Sequence, residues 1–212
     1  MSNAQPASFV ISAPSGAGKT SLAEALLREV GSVSRTISCT TRPPRDHETD
    51  GVDYFFVSPE AFEHKVAADG FLEWAEVHGH RYGTLRAEID RIHTVGHDAL
   101  MVIDVQGATS VRRAMPDAVT IFVLPPSRRA LIERLEGRDG LGGGEGRARR
   151  LSVAEHEIAD YVSYDYVVIN DDFDIAAAEL AAIVRTERCR CERRGADAET
   201  LLADFRADVA NG

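Results

Sequence analysis

The chain has 212 residues, of which 44% are hydrophobic, enough for one compact unit with a buried core. Its formal net charge of −10 excludes a global attraction to nucleic acid or to an anionic membrane, so any anionic ligand must meet a local cluster of Arg and Lys. The three cysteines lack C-x-x-C spacing, and no apolar run reaches the length of a membrane span. These properties predict a cytoplasmic protein, with no nucleic-acid or membrane partner and no protein partner implied.

Short apolar runs predict strands at residues 9–12, 100–104, 119–124 and 166–169. Each run is apolar on both faces, which is typical of a parallel sheet covered by helices. Amphipathic segments between the runs predict helices, one of which contains Leu22, Leu26 and Val30. The alternation predicts an α/β fold, and residues 175–210 are predicted to be helical and packed on the core.

The first predicted strand is followed by a motif typical of a phosphate-binding P-loop, which consists of Ala13, Pro14, Ser15, Gly16, Ala17, Gly18, Lys19 and Thr20. Its glycines let successive backbone N–H groups point at phosphate oxygens, and the following helix adds the positive end of its dipole. Lys19 can reach the β- and γ-phosphates, and the Thr20 hydroxyl can bind Mg²⁺. Pumps, switches and kinases all carry this loop, so it predicts a triphosphate without naming a reaction.

A second group of motifs follows in residues 38–84. Arg42 and Arg45 are three apart with prolines between them, so their planar guanidinium groups can converge on one phosphate. Tyrosine hydroxyls can donate to the same phosphate without adding charge. This region therefore predicts a phosphorylated acceptor.

Together these motifs resemble guanylate kinase over residues 9–190. The resemblance rests on the P-loop, the T-T-R-x-P-R run at 40–45, the Tyr82-Gly83-Thr84 turn, the D-V-Q-G run at 104–107 and the V-I-N-D-D run at 168–172. It implies a P-loop nucleoside monophosphate kinase fold and transfer of the γ-phosphoryl group of ATP to GMP, with Mg²⁺, in purine metabolism. It also implies a core of residues 8–37, 85–133 and 158–212, a GMP-binding region at 38–84 and a lid at 134–157.

By the same resemblance, eight residues bind GMP: Ser38, Arg42, Arg45, Tyr54, Glu73, Tyr82, Thr84 and Asp104. A buried carboxylate accepts hydrogen bonds from N1 and N2 of guanine and repels the N1 lone pair of adenine, which is the role implied for Glu73 and Asp104. Two alternatives stay open: Tyr54 as a core aromatic residue, and Glu73 as a solvated surface carboxylate beside Trp74.

Arginines of the predicted lid complete the catalytic set with Lys19 and Arg42. Arg134 and Arg138 lie four apart on one face of a helix that opens after Ser127, so they can move onto the phosphates together. The resemblance adds Arg150 as a third lid arginine.

The same resemblance makes Asn170 a neighbour of the adenine of ATP. The alternative for each lid arginine is a solvated, salt-bridged helix face, because Glu133 and Glu136 are adjacent. The glycine-rich centre at 140–146 predicts a very mobile lid in the absence of nucleotide.

One position departs from the family pattern: Val102 stands where many members have an acidic residue. Strand alternation would place positions 102 and 104 on one face, so a contact towards Mg²⁺ is predicted to be missing. Two other functions remain as alternatives. A non-catalytic guanylate-kinase-like binding module is disfavoured by the complete Lys19 and Thr20 pair, and a kinase for another acceptor, such as a sugar phosphate, by the base pocket.

Overall fold

A computed structural model of the chain describes residues 5–77, 79–139 and 144–210. The strands are, in chain order, β1 (Ser8–Ser12), β2 (Val33–Arg35), β3 (Cys39–Thr40), β4 (Phe55–Phe56), β5 (Phe71–Val77), β6 (His80–Leu85), β7 (Asp98–Val102), β8 (Val119–Leu124) and β9 (Tyr166–Ile169). The helices are α1 (Lys19–Glu29), α2 (Pro59–Ala67), α3 (Arg86–Thr94), α4 (Val105–Ala114), α5 (Arg128–Asp139), α6 (Gly144–Ala159), α7 (Phe173–Glu187) and α8 (Cys191–Ala210).

Five parallel strands form the core sheet in the order β2-β7-β1-β8-β9. Successive residues of β1 serve opposite faces: Phe9 and Ile11 pack with Leu22 and Leu180 of α1 and α7, whereas Val10 packs on the side of α3 and α4. Both faces are therefore covered by helices. This confirms the predicted α/β fold.

A second sheet, β4-β3-β6-β5, is built from residues 39–85. Its β5 and β6 are antiparallel, with Glu73 opposite Thr84 after a register shift between Phe71 and Glu73. Helix α4 packs against β5, which brings the end of the core sheet close to this hairpin. The cleft between the two sheets contains the candidate site.

All four predicted strands are present, but the predicted end of one and the predicted burial of another were wrong. Strand β7 ends at Val102, and Asp104 is instead the N-cap of α4, where its carboxylate accepts a hydrogen bond from Gly107 N–H at 2.7 Å. Aspartate favours this position because it satisfies a free N–H of the first turn. Strand β9 is an edge strand whose Val167 and Ile169 are exposed, so its apolar run does not mark burial on both faces.

The predicted packing of the C-terminal tail holds for α7 only. Leu180 and Val184 of α7 are fully buried, whereas the described side chains of α8 are mostly exposed, including Leu201 and Phe205. The few apolar residues of α8 do not form a stripe wide enough to hold it on the core. Within the described ranges, no helix combines the length and apolarity needed to cross a membrane.

The glycine-rich run predicted to be mobile is described only in part. Residues 140–143 lie outside the described residues, and Gly144 and Gly146 are already helical at the start of α6. The expected lid mobility stays a prediction.

Candidate functional site

The P-loop connects β1 to α1 at the carboxyl end of the core sheet. Gly18 is the N-cap of α1 with a φ of +96°, a left-handed conformation that glycine adopts readily. A Cβ at Gly18 would lie 2.3 Å from Asn170 Nδ2, so the loop and the residue after β9 are in close contact. Thr20 is exposed in the first turn of α1. The loop thus presents a helix N-terminus to an anion.

Lys19 lies at the junction of the P-loop and the second sheet. Its ammonium group donates a hydrogen bond to the carbonyl oxygen of Ile103 at 2.6 Å. Burial lowers the pKa of Lys19 to about 8, and the negative charges of Asp104 and Glu157 oppose this shift. The site therefore contains a half-buried cation whose ammonium group is hydrogen-bonded to a neutral acceptor.

Arg134 and Asn170 brace the P-loop at one carbonyl group. Asn170 Nδ2 donates to Ala17 O at 2.8 Å, and Arg134 Nη1 donates to the same oxygen at 3.5 Å. Arg134 Nη2 also donates to Asn170 O at 2.9 Å. Arg134 is thus half-buried between the P-loop and β9, whereas the side chains of Arg138 and Arg150 lie outside the described residues.

Helix α6 contributes a residue that the sequence analysis missed. The carboxylate of Glu157 accepts a hydrogen bond from the backbone N–H of Ser15, and burial raises the pKa of Glu157. An acidic side chain thus engages one of the P-loop donors. No motif distinguishes Glu157 in the sequence, because its role depends on how α6 packs against the loop.

Two carboxylates, Glu73 and Asp104, lie beside the first turn of α4. Glu73 is buried, and Thr84, also buried, donates a hydrogen bond to Glu73 Oε1 at 2.7 Å. Burial raises the pKa of Glu73 to about 7, and the charge of Asp104 adds to this shift. The α4 backbone passes close by, since a Cβ at Gly107 would lie 2.8 Å from Glu73 Oε2 and 3.3 Å from Asp104 Oδ1.

Glu73 is therefore a buried carboxylate, not a solvated one. It shares a cavity of about 180 Å³ with Lys19 of the P-loop. The cavity is lined by Lys19, Arg35, Ser38, Tyr54, Glu73, Ala75, Val77, Tyr82, Gly83, Val102, Ile103 and Asp104. Tyr54 and Tyr82 meet edge to face there, with ring centroids 6.0 Å apart.

The two acceptor-region arginines are organised by Glu48, which the sequence analysis did not single out. Arg42 Nη2 donates to Glu48 Oε1 at 2.7 Å, and the backbone N–H of Arg45 donates to Glu48 Oε2 at 2.9 Å. The hydrogen bond from Arg42 lowers the pKa of Glu48 to about 2. Arg42 also stacks over the Tyr54 ring at 5.3 Å, whereas the Arg45 side chain is 67% exposed.

Comparisons with known proteins agree with this geometry. The sequence model of the family described as Guanylate kinase matches residues 5–187. The chain belongs to the guanylate kinase family. It is 47% identical to a guanylate kinase of Symbiobacterium thermophilum over 195 residues, which are 92% of this chain and 92% of that protein. It is 43% identical to a guanylate kinase of Escherichia coli over 207 residues, 97% of this chain and 100% of that protein.

A solved structure supports the same assignment. The crystal structure of guanylate kinase from Anaplasma phagocytophilum has a TM-score of 0.75 and 33% identity, and the match covers 97% of this chain and 98% of that one. As a member of the guanylate kinase family, the chain is a nucleotide-binding transferase of the kinase type. The comparisons favour neither a binding module nor a kinase for another acceptor.

Proposed function

We propose that the chain transfers the γ-phosphoryl group of ATP to the phosphate of GMP, giving ADP and GDP. The observation that carries this proposal is the buried Glu73 carboxylate, held by Thr84 in a cavity that Lys19 of the P-loop also lines. A carboxylate that binds guanine and a lysine that binds phosphate then lie in one cavity. Phosphoryl transfer depends on such positioning and on charge stabilisation more than on covalent help.

The P-loop residues 13–20 bind the ATP phosphates in this proposal. Their N–H groups and the N-terminus of α1 attract the anion, and Lys19 moves from the Ile103 carbonyl to the β- and γ-phosphate oxygens. Asn170 borders the adenine, which is supported by its contact with the loop at Ala17.

GMP is bound by residues of the second sheet and Asp104. Glu73 accepts hydrogen bonds from N1 and N2 of guanine, while Ser38, Thr84 and Asp104 complete the base pocket. The phosphate of GMP is bound by four further residues: Arg42, Arg45, Tyr54 and Tyr82. Adenine has no N–H donor at N1, so it would leave Glu73 unpaired. Such a mismatch discriminates against the wrong base by a factor on the order of 10⁴.

Mg²⁺ accompanies ATP, and the residues present fit it. This ion keeps several waters and needs few protein ligands beside phosphate oxygens, and the exposed Thr20 hydroxyl at the start of α1 can supply one. When bound, the ion neutralises charge on the β- and γ-phosphates. Val102 supplies no carboxylate, so Thr20 is the protein ligand we assign.

The lid, residues 134–157, carries Arg134, Arg138 and Arg150 as stabilisers of the transferring phosphoryl group. Such cis arginines are worth on the order of 10³ in rate. Residues 38–84 form the GMP-binding region, and residues 8–37, 85–133 and 158–212 the core. A cytoplasmic location and a place in purine metabolism remain predictions.

The direct test measures ADP formation from Mg-ATP with GMP, AMP, CMP, UMP or ribose 5-phosphate. We expect turnover with GMP alone, its loss in Lys19→Ala, and its retention in Lys65→Ala, which removes the other lysine of the chain. GMP binding without phosphorylation of any acceptor would overturn the proposal in favour of a binding module. Turnover with ribose 5-phosphate in place of GMP would favour another acceptor.

A further inference from the structure

Arg35 is a cation in the site to which the guanylate kinase motifs assign no role. It is the last residue of β2, at the carboxyl end of the core sheet, and its side chain lines the same cavity as Lys19, Tyr54 and Asp104. Arg35 belongs to β2 of the core sheet, whereas Tyr82, which lines the same cavity, belongs to β6 of the second sheet. An anion in the cavity would therefore meet donors from both walls.

Arg35 is exposed at the rim of the cavity, and its side chain forms no hydrogen bond or ion pair with any residue in the described ranges. This contrasts with Arg42, which pairs with Glu48, and with Arg188, which pairs with Asp98. The register of β2 with β7 puts Leu100 opposite Arg35, and Val102 follows on the same side of β7, so this strand offers no carboxylate there. An arginine left unpaired beside an apolar neighbour is suited to an anionic ligand.

The charge of Arg35 also acts on Lys19. Arg35 is close enough that its positive charge contributes to the lowered pKa of Lys19. Asp104 opposes it, but Asp104 Oδ1 already accepts the Gly107 N–H as the cap of α4. Two cations that repel each other across one cavity bind an anion more strongly than either alone, because the anion also relieves their repulsion.

We propose that Arg35 is a phosphate-binding residue of the acceptor site, which contacts the phosphate of GMP on the side that faces Lys19. The inference rests on the proposed function insofar as it takes GMP as the acceptor. Arg35 holds the acceptor phosphate from the core sheet while Arg42, Tyr54 and Tyr82 hold it from the second sheet. Its charge thereby draws the acceptor oxygen towards the P-loop, where the γ-phosphoryl group is bound.

The test is calorimetric binding of GMP and of guanosine to the wild type, Arg35→Gln and Arg35→Lys. Loss of a charge-assisted contact to phosphate should weaken GMP binding by about 10- to 100-fold, with guanosine affinity unchanged. Arg35→Lys should recover most of the loss. The matched control is Arg28→Gln, an exposed arginine of α1 away from the cavity, which should bind both ligands as the wild type does.

The design separates this inference from the proposed function. Equal weakening of GMP and guanosine in Arg35→Gln would mean a structural role, and unchanged GMP binding would mean no contact; either result overturns the inference. The binding measurement does not depend on turnover. A wild type that binds GMP but does not phosphorylate it would overturn the proposed function, yet the Arg35 variants would still show whether Arg35 contacts the phosphate.

Discussion

The two ends of the cavity contain groups of opposite charge, the half-buried Lys19 and the buried Glu73. At the P-loop, burial lowers the pKa of Lys19 to about 8, and its ammonium group donates a hydrogen bond to the neutral carbonyl oxygen of Ile103. At the other end, burial raises the pKa of Glu73 to about 7, and Glu73 accepts a hydrogen bond from the neutral hydroxyl of Thr84. Each end thus disfavours its own charged form.

Under the proposed function, this symmetry explains how the site distinguishes its two ligands. A phosphate offers negative charge to Lys19, and a guanine offers N–H donors to Glu73, so each ligand compensates a charge that the fold has partly or fully removed from water. Folding removes Lys19 and Glu73 from water, which is unfavourable for their charged forms. A ligand of complementary polarity offsets this unfavourable free energy when it binds. Wrong ligands leave one charge uncompensated.

Removing the cation should give the largest effect. Lys19→Met keeps the apolar stem and removes the charge, so we expect kcat with GMP to fall by about 10³-fold while GMP affinity changes little. Steady-state kinetics and GMP titration measure the two quantities. A fall in GMP affinity as large as the fall in kcat would show that Lys19 also contributes to GMP binding, which would contradict separate roles for Lys19 and Glu73.

Removing the anion is the converse experiment. Glu73→Gln replaces an acceptor-only carboxylate with an amide, and we expect GMP to bind about 100-fold more weakly while ATP affinity is unchanged. The same variant tests stability without added nucleotide. Because the folded pKa of Glu73 lies above its ordinary value, the wild type should lose stability as pH rises from about 4.5 to about 7, and the variant should lose less.

Thermal unfolding of the wild type and of Glu73→Gln across that pH range measures the predicted loss of stability. The raised pKa of Glu73 would be contradicted if the unfolding free energy of the wild type rose between pH 4.5 and 7 relative to that of Glu73→Gln.

Helix α4 passes close to Glu73, so a small change in α4 can displace the Glu73 carboxylate without touching the P-loop. A Cβ at Gly107 would lie 2.8 Å from Glu73 Oε2, so Gly107→Ala should displace this carboxylate and weaken GMP by about 10- to 100-fold, with ATP binding intact. Gly195→Ala in α8 is the matched control, since its added Cβ meets no atom within 4 Å. Equal GMP affinity in both variants would contradict the proposed position of the base.

The sequence anticipated local motifs better than partnerships across the fold. The P-loop and the α5 start after Ser127 follow from short-range patterns, and both are found. Asp104 was assigned to a strand because the apolar run of β7 continues through Ile103, although capping ends the strand earlier.

The missed contacts have a common cause. Glu48 and Glu157 carry no motif, and their contacts with Arg42 and Ser15 join elements that meet only after folding; the position of Arg35 in the cavity wall arises in the same way. The pairing of Glu73 with Thr84 likewise depends on the β5–β6 register, which the sequence alone did not specify.

The most direct test of the opposed charges is the pH dependence of two separate binding reactions, measured by calorimetry. Guanosine should bind about fivefold more tightly as pH rises from about 6 to about 7, when Glu73 ionises, and this slope should vanish in Glu73→Gln. ATP should bind more weakly as pH rises through about 8, when Lys19 loses its proton, and this slope should vanish in Lys19→Arg. Slopes of the same sign for both ligands, or slopes that persist in both variants, would contradict the account.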